Sequence, residues 1–545
     1  MSKKGIAAAA LFLASAGAGF AGYQYVYGGD QNPDDLAAVI PADAYAVAYI
    51  SNEPEAWIKL EKFGNPAAQN IIKQQITEAQ QKLLAQTKMD FGKDIQPWLG
   101  NTIIAVLPDA GSKSDKPHLL IAIGIKDKLK ALDFANKLKA QSKEATKEFD
   151  YKGIKITDSG KGTGETFSAI VDDRLVIAPE QHSLELAIDT AQGQPSLASK
   201  AGNDWFKGDK LGLEQPIVAF YIPDYVLAVQ QLLKSGKQPA TLDAVTLTQL
   251  RKIQSFGGGI AIEDAGIRMK LVANTDGTTL NLPKTSSKSI GSFPAETFAV
   301  FGGTGLNQIW TETNKIVAAQ PATQQVFTQM RQSFTQSTQM DLDKDVFSWM
   351  GGEYTLGMMP VSQGMMAQAG FGGALTIDST DRAVTDSTMT KLTNLAKGAG
   401  LSIEPRQVGS TKIIDVTAPM GQGTIFSYGW LSDKSLSLTI GDGLMDKIAT
   451  HSGESIDQTP NFTTALGAMP TDKQSYAYID IEKIFGLFNS KMGTAMMGKG
   501  IPADVNALIT SVQGVGMSST QSDKNTNQFE ALLTLKPATA FPVSK

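Results

Sequence analysis

One stretch of twelve residues occurs twice in this chain. Met89-Asp90-Phe91-Gly92-Lys93-Asp94-Ile95-Gln96-Pro97-Trp98-Leu99-Gly100 and Met340-Asp341-Leu342-Asp343-Lys344-Asp345-Val346-Phe347-Ser348-Trp349-Met350-Gly351 agree at six of twelve positions, 251 residues apart. Ile40 to Val47 (IPADAYAV) is likewise echoed by Phe293 to Val300 (FPAETFAV), and Trp57 by Trp310. Later matches keep the order: GIKITD at 153–158 with STKIIDV at 410–416, and AFYIPDY at 219–225 with AYIDIEK at 477–483. Colinear matches of this kind constrain the chain to one fold built twice. The length of 545 residues agrees, because a single core seldom organises so many. The expected units are 36–275 and 289–537. Between them 274–288, rich in Thr, Ser, Asn, Gly and Pro, reads as a linker, and 538–545 as a tail.

Within the first unit the runs AVAYI, NTIIAVLP, HLLIAIGI, GIKIT, TFSAIV and RLVIA carry strand patterning and end in turn residues. Helical spacing over PAAQNIIKQQITEAQQKLLAQ, with Pro66 in its first turn, places Ile72, Ile76 and Leu83 on one face. KLKALDFANKLKAQ does the same with Leu129, Leu132, Phe134 and Leu138. Short polar links favour antiparallel hairpins with helices laid on them. The expected fold is α+β: two tandem diverged copies, each a largely antiparallel sheet with helices, after an N-terminal apolar helix.

That helix is read from residues 1–30. Lys3 and Lys4 precede Gly5 to Gly29, which carries no charge before Asp30, the pattern of a signal peptide or signal anchor. Positive charge stays inside, so the rest of the chain is expected outside the cytoplasm. Ala14-Ser15-Ala16 and Ala16-Gly17-Ala18 suit signal peptidase, whereas residues 5–22 would form a helix of about 27 Å, enough to span. Uncleaved, residues 5–27 make the membrane a partner, with Tyr23, Tyr25 and Tyr27 at the interface.

Composition removes several classes. Hydrophobic residues at 42% and charged residues at 19% describe a chain that folds. A net charge of -5, with no basic stripe, argues against nucleic acid as a partner. Cysteine is absent, which excludes disulfides, thiolate metal sites, cysteine nucleophiles and a lipidated cysteine.

With Pro41-Ala42-Asp43-Ala44, the Lys93-Asp94 to Trp98-x-Gly100 block and the doubled layout, the chain resembles an uncharacterised family of bacterial envelope proteins common in cyanobacteria, domain of unknown function 3352. The resemblance covers residues 36–540. It implies a membrane-associated protein facing a periplasm or thylakoid lumen, and it brings no activity, cofactor or catalytic residue.

Candidate chemistry is sparse. His118, His182 and His451 stand apart and read as surface or capping residues. Gly160 to Thr166 is glycine-rich but joins two strand-like runs, unlike a P-loop, and reads as a hairpin turn. Asp341, Asp343 and Asp345 have the spacing of a calcium loop, but Val346 replaces the required glycine and Glu353 falls one position late. A turn capped by Asp94 and Asp345, with Trp98 and Trp349 as core anchors, is the expectation instead. Asp172-Asp173 reads as a turn. No cofactor and no metal are expected.

One asymmetry separates the copies. Residues 30–287 hold 61 charged side chains against 40 in 288–545, and 15 of 18 methionines fall in the second half. Where the first copy has the polar link 107–116, the second has Met359-Pro360-Val361-Ser362-Gln363-Gly364-Met365-Met366, and Met492 to Gly498 replaces a Lys-rich region. Flexible, polarizable methionines suit surfaces that take varied apolar partners, and suit core gaps equally well. Met358, Met359, Met365, Met366, Met492, Met496 and Met497 are therefore the candidate partner-binding residues. The expected role is a non-enzymatic scaffold or assembly factor binding protein or membrane partners through the second domain. The alternatives are a carrier of lipid, pigment or another hydrophobic ligand, and an unrecognised hydrolase.

Overall fold

A computed structural model describes residues 33–108, 118–141, 147–158, 166–201, 211–234, 242–278, 280–419, 423–450, 453–487 and 502–538. The N-terminal apolar segment lies outside them. Among the described residues no helix is long and apolar enough to cross a membrane. The chain mixes helix with extensive antiparallel sheet and divides into two compact units, Met1–Asp276 with Lys536–Lys545, and Gly277–Leu535.

In unit 1 the strands are β1 (Ala46–Ile50), β2 (Leu99–Leu107), β3 (His118–Ile125), β4 (Lys147–Tyr151), β5 (Ile154–Asp158), β6 (Phe167–Val171), β7 (Arg174–Ala178), β8 (Val218–Ile222), β9 (Ile253–Glu263) and β10 (Gly266–Thr275). Neighbouring strands run antiparallel in the order β4-β5-β6-β7-β3-β2-β1-β8-β9-β10. Tight links make this possible. Lys152 and Gly153 both hold positive φ (52° and 81°), as a two-residue type I′ turn between β4 and β5 demands. Asp172-Asp173 turns β6 into β7, with Asp172 at φ 55°.

Unit 2 has β11 (Ala299–Thr304), β12 (Glu353–Pro360), β13 (Phe371–Asp378), β14 (Ser402–Val408), β15 (Thr411–Thr417), β16 (Thr424–Trp430), β17 (Ser435–Ile440), β18 (Ser475–Asp480), β19 (Val512–Asp523) and β20 (Thr526–Leu535). Their order is β14-β15-β16-β17-β13-β12-β11-β18-β19-β20, again antiparallel throughout. Strand for strand, this is the order of unit 1.

The long helices begin and end by the same devices. Pro66–Thr87 starts with Pro in its first turn and with Asn65 Oδ1 accepting from Ala68 N at 2.9 Å; Pro321–Thr338 also starts on Pro. Each stops at a left-handed residue, Lys88 (φ 54°) and Gln339 (φ 56°), which turns the chain so that Met89 and Met340 enter the core.

The main core of unit 1 gathers Leu36, Val39 and Ile40 with Ile103, Leu120, Val176, Leu184 and Ile188 on one sheet face. Two expectations fail here. Ile72 is exposed on its helix, and on Lys128–Gln141 Leu129 and Leu132 face solvent, because that helix seats itself through Ala131 and through Phe134 against Trp98. The segment read as a linker is bound near its end: Thr285 N donates to Lys473 O at 2.8 Å, and Ser286 donates to Glu353 through both N and Oγ. At the far end of the chain, residues 536–538 return to unit 1. Gly64 N donates to Lys536 O at 2.8 Å and Ala538 N to Lys62 O at 2.6 Å, bridging Phe63 and Pro537.

Candidate functional site

The repeated twelve-residue block forms the same node in both units. Asp90 Oδ1 accepts from Lys93 N at 2.9 Å, and Asp94 Oδ2 reaches back to accept from Asp90 N at 2.8 Å. Asp341, Lys344 and Asp345 repeat both bonds, at 2.9 and 2.7 Å. The caps are thus Asp90 and Asp341, which corrects the expectation for Asp94 and Asp345: those residues sit four positions on and close the reciprocal bond, as in a capping box. Trp98 Nε1 donates to Asp94 O at 2.9 Å and Trp349 Nε1 to Asp345 O at 3.0 Å, each indole being 1% exposed. Lys137 and Lys391 pair with the two carboxylates, at 2.5 and 2.7 Å, and these bonds hold Asp94 and Asp345 below the usual carboxylate range.

Asp343 does other work. Its carboxylate accepts from Arg331, from Trp310 Nε1 at 2.6 Å and from Asn314 Nδ2 at 3.2 Å, with Arg331 the main cause of its lowered pKa. Asp341, Asp343 and Asp345 therefore serve three separate sets of donors, and among the described residues no cluster able to hold a metal ion occurs. Beside Asp343 lies an open cleft of about 520 Å³ lined by Asn307, Trp310, Asn314, Lys315 and Phe347. The Trp310 ring stacks on Phe347 at 4.2 Å with Phe327 at 5.4 Å, so its aromatic surface is largely taken up by the protein itself.

The histidines do not meet. His118 is buried and pairs with Glu180, which corrects its reading as a surface residue: it opens β3 beneath the start of the helix Gln181–Ala191. His182 is exposed near Glu185, and His451 lies outside the described residues.

The methionines divide. Met358 and Met359 belong to β12, not to a loop. Met359 is 0% exposed and packs in the core, so it is withdrawn as a partner-binding residue. Met365 is 52% exposed on a short turn, with Met366 half-buried beside it. Met492, Met496 and Met497 lie outside the described residues.

Met358 leads to the feature that the sequence pattern concealed. Residues directly opposite each other in antiparallel strands share a face. Across seven strands of unit 2 the register sets Ile440, Gly373, Met358, Ala299, Ile479, Val515 and Leu533 in one row. The next row is Leu438, Leu375, Leu356, Phe301, Ala477, Met517 and Ala531. None of the fourteen has a polar side chain. Only Ala299 is fully buried; Leu356 is 43% and Ile440 54% exposed. One step further along the strands, Leu436, Ile377 and Tyr354 are covered by Trp349, Met389 and Leu392, so over β17, β13 and β12 the strip has a wall along one long side.

The opposite face is buried and rich in hydroxyls. Thr355, Thr376, Ser437, Thr439, Tyr476, Ser518 and Thr534 are buried there, under the helices Leu444–Thr450 and Pro460–Ala465. Five of the seven hydroxyls pair within the protein, Thr355 with Tyr476 at 2.5 Å, Thr376 with Ser437 at 3.3 Å and Thr534 with Gly514 O at 3.0 Å, whereas those of Thr439 and Ser518 are buried without a hydrogen-bond partner among the described residues. Burial pushes the Tyr476 hydroxyl well above its ordinary range. Val300, Met359, Ala374, Tyr478 and Leu532 share that buried face with the hydroxyls, and the other face carries hydrocarbon half outside where a solvated sheet face carries polar side chains.

Known proteins add the family and little more. Structures of crystal forms III and I of TP0453 share 13% and 12% identity with the chain at TM-scores of 0.27 and 0.25, covering 45% of this chain and 82% and 81% of theirs. Likeness at that level carries no argument about fold. No curated protein matches. The family profile described as protein of unknown function, DUF3352, matches residues 6–535, and the chain belongs to that family.

Proposed function

We propose that this is a membrane-tethered extracytoplasmic protein, two diverged copies of one α+β domain after an N-terminal apolar helix, that acts without catalysis by holding an apolar partner on its second domain. The observation that carries the reading is the fourteen-position strip across β17, β13, β12, β11, β18, β19 and β20. It contains no group able to move a proton or to attack a substrate, and it offers hydrocarbon where a solvated sheet offers polar side chains. Duplication is supported by the identical strand order and by the Asp-Trp-Lys node recurring at a near-constant offset. Export is supported by Lys3 and Lys4 ahead of an uncharged stretch up to Gly29.

The test has two arms. Alkaline phosphatase fused after residue 538 is expected to be active, and a fusion inactive there but active when reversed in orientation would refute the topology. Leu356→Glu and Ile440→Glu place a carboxylate on the strip at half-exposed positions, where burying it under a partner is costly. Both are expected to abolish recovery of whatever copurifies with the full chain, while Leu129→Glu, on an exposed residue of unit 1, leaves it unchanged. Recovery that ignores Leu356→Glu and Ile440→Glu would end the proposal.

A further inference from the structure

We infer that the occupant of the strip is the hydrocarbon chain of a membrane lipid, laid across the strands of unit 2; this rests on the reading of the strip as a binding surface. Three properties select hydrocarbon over polypeptide.

The first is size. Seven strands taking up about 4.8 Å each give a length of roughly 34 Å, and two rows taking up two residues of strand each, about 6.8 Å, give a width of roughly 14 Å. That is about 460 Å², little more than half of the roughly 800 Å² that each partner commits to a stable protein interface. A single extended chain, or two side by side, needs no more.

Second, the strip cannot hydrogen-bond. A protein interface carries about one hydrogen bond per 100–200 Å² and a polar rim. None of the fourteen side chains can donate or accept through nitrogen or oxygen, and the backbone groups between them are spent on the ladders to both neighbours. A peptide lying there would leave its own amides without partners, at a cost that hydrocarbon does not incur. Strand addition is also closed to it, since β13, β12, β11, β18 and β19 each have a strand on either side.

Third, the strip has relief. Gly373 stands in the first row between Ile440 and Met358, and a Cβ added to it would meet nothing nearer than Gly357 O at 3.8 Å. Its neighbours project and it does not, which leaves a notch in the row. Beyond the second row, Tyr354 and the residues packed on Trp349 close one side. The result is a shallow seat bounded, over β17, β13 and β12, along one long edge.

The experiment uses the full chain in two forms. Benzoylphenylalanine in place of Leu356 is irradiated in membranes, and the adduct is weighed. A lipid adduct supports the inference. An adduct to another polypeptide overturns it and leaves the wider proposal standing, and no adduct to either sinks both. In parallel, purified protein is titrated with vesicles of phosphatidylcholine containing a parinaroyl phospholipid, whose fluorescence rises in an apolar site.

Saturable binding is expected for the parent, weakened at least tenfold by the pair Leu356→Ser and Ile440→Ser. Gly373→Leu separates a seat from mere greasiness. It adds hydrocarbon yet fills the notch, so it is expected to weaken binding at least fivefold. Unchanged or tighter binding by Gly373→Leu, in protein whose unfolding curve matches the parent, overturns the inference.

Discussion

Trp98→Phe and Trp349→Phe make the same chemical cut at corresponding places, and the structure assigns them different costs. Each removes an indole N–H from a carbonyl, that of Asp94 or that of Asp345. In unit 2 Thr388 Oγ1 stands 2.6 Å from the same Asp345 oxygen, the nearer of its two acceptors, Val384 O being at 2.9 Å. That carbonyl keeps a partner when the indole goes. The corresponding residue in unit 1, 254 positions earlier, is Phe134, whose ring lies 4.9 Å from Trp98 and brings no donor.

Losing one of two donors costs about 1 kcal/mol, whereas a buried acceptor left unsatisfied costs about 1–3 kcal/mol. Trp98→Phe is therefore expected to destabilise unit 1 by about 1 kcal/mol more than Trp349→Phe destabilises unit 2, a factor of about 5 in an opening constant. Peptide-resolved hydrogen exchange reads the two units separately. Thr388→Val should bring unit 2 into the unit 1 condition, so that Thr388→Val with Trp349→Phe costs more than the two changes summed. Equal costs for the two tryptophans, together with a strictly additive double variant, would refute the assignment of the second donor.

Lys391 first, and the Asp341 backbone second, hold the Asp345 carboxyl below its ordinary value, so its contribution is present above about pH 3.9 and is lost as pH falls through the depressed folded value. Asp345→Asn should cost about 1 kcal/mol at pH 7, a figure kept low because Lys391 is partly exposed, and should flatten the dependence of the urea midpoint on pH below 4; an unaltered slope counts against it. Arg406 joins Asp415 on β15 and Asp446 on the helix Leu444–Thr450 through its planar fork, so Arg406→Lys should destabilise the β14–β15 hairpin by about 1–3 kcal/mol, visible as faster exchange there. Gly302→Ala would set a methyl 2.3 Å from the Tyr476 ring and 2.7 Å from Tyr354 O, and about 1–3 kcal/mol of overpacking is expected in chemical denaturation; a neutral result would mean that Tyr476 moves freely.

What the sequence disclosed follows from what its repeated residues do. Met89, Asp90, Asp94 and Trp98 recur because capping, a reciprocal bond and a buried indole tolerate few substitutes, and the strand order around them proved the same in both units. Helix orientation was less legible. Of Leu129, Leu132 and Phe134, which spacing placed on one face, only Phe134 makes the contact, joined by Ala131, because spacing alone does not fix how far the helix is turned on the sheet.

The strip was hidden for a different reason. Alternation of apolar with small hydroxyl residues, as in SLSLTI at 435–440, conventionally places the hydroxyls in water. Here Ser437 and Thr439 are inside and Ile440 is outside, and only the register of seven strands shows that the apolar outer face is continuous. Methionine content pointed to unit 2, and of the candidates Met358 lies in the strip and Met359 in the core, while the strip also holds Met517.

The return of residues 536–538 to Phe63 sets an order for synthesis. Unit 1 includes the last described residues of the chain, with all 259 residues of unit 2 in between. At about 5–20 residues per second, that interval takes roughly 13–50 s after Asp276 is made. Until then, Gly64 N and Lys62 O wait without Lys536 and Ala538, and the nascent first unit is one edge short of complete. A chain that stops before Lys536 leaves both bonds unmade about 470 residues earlier in its sequence, at Lys62 and Gly64.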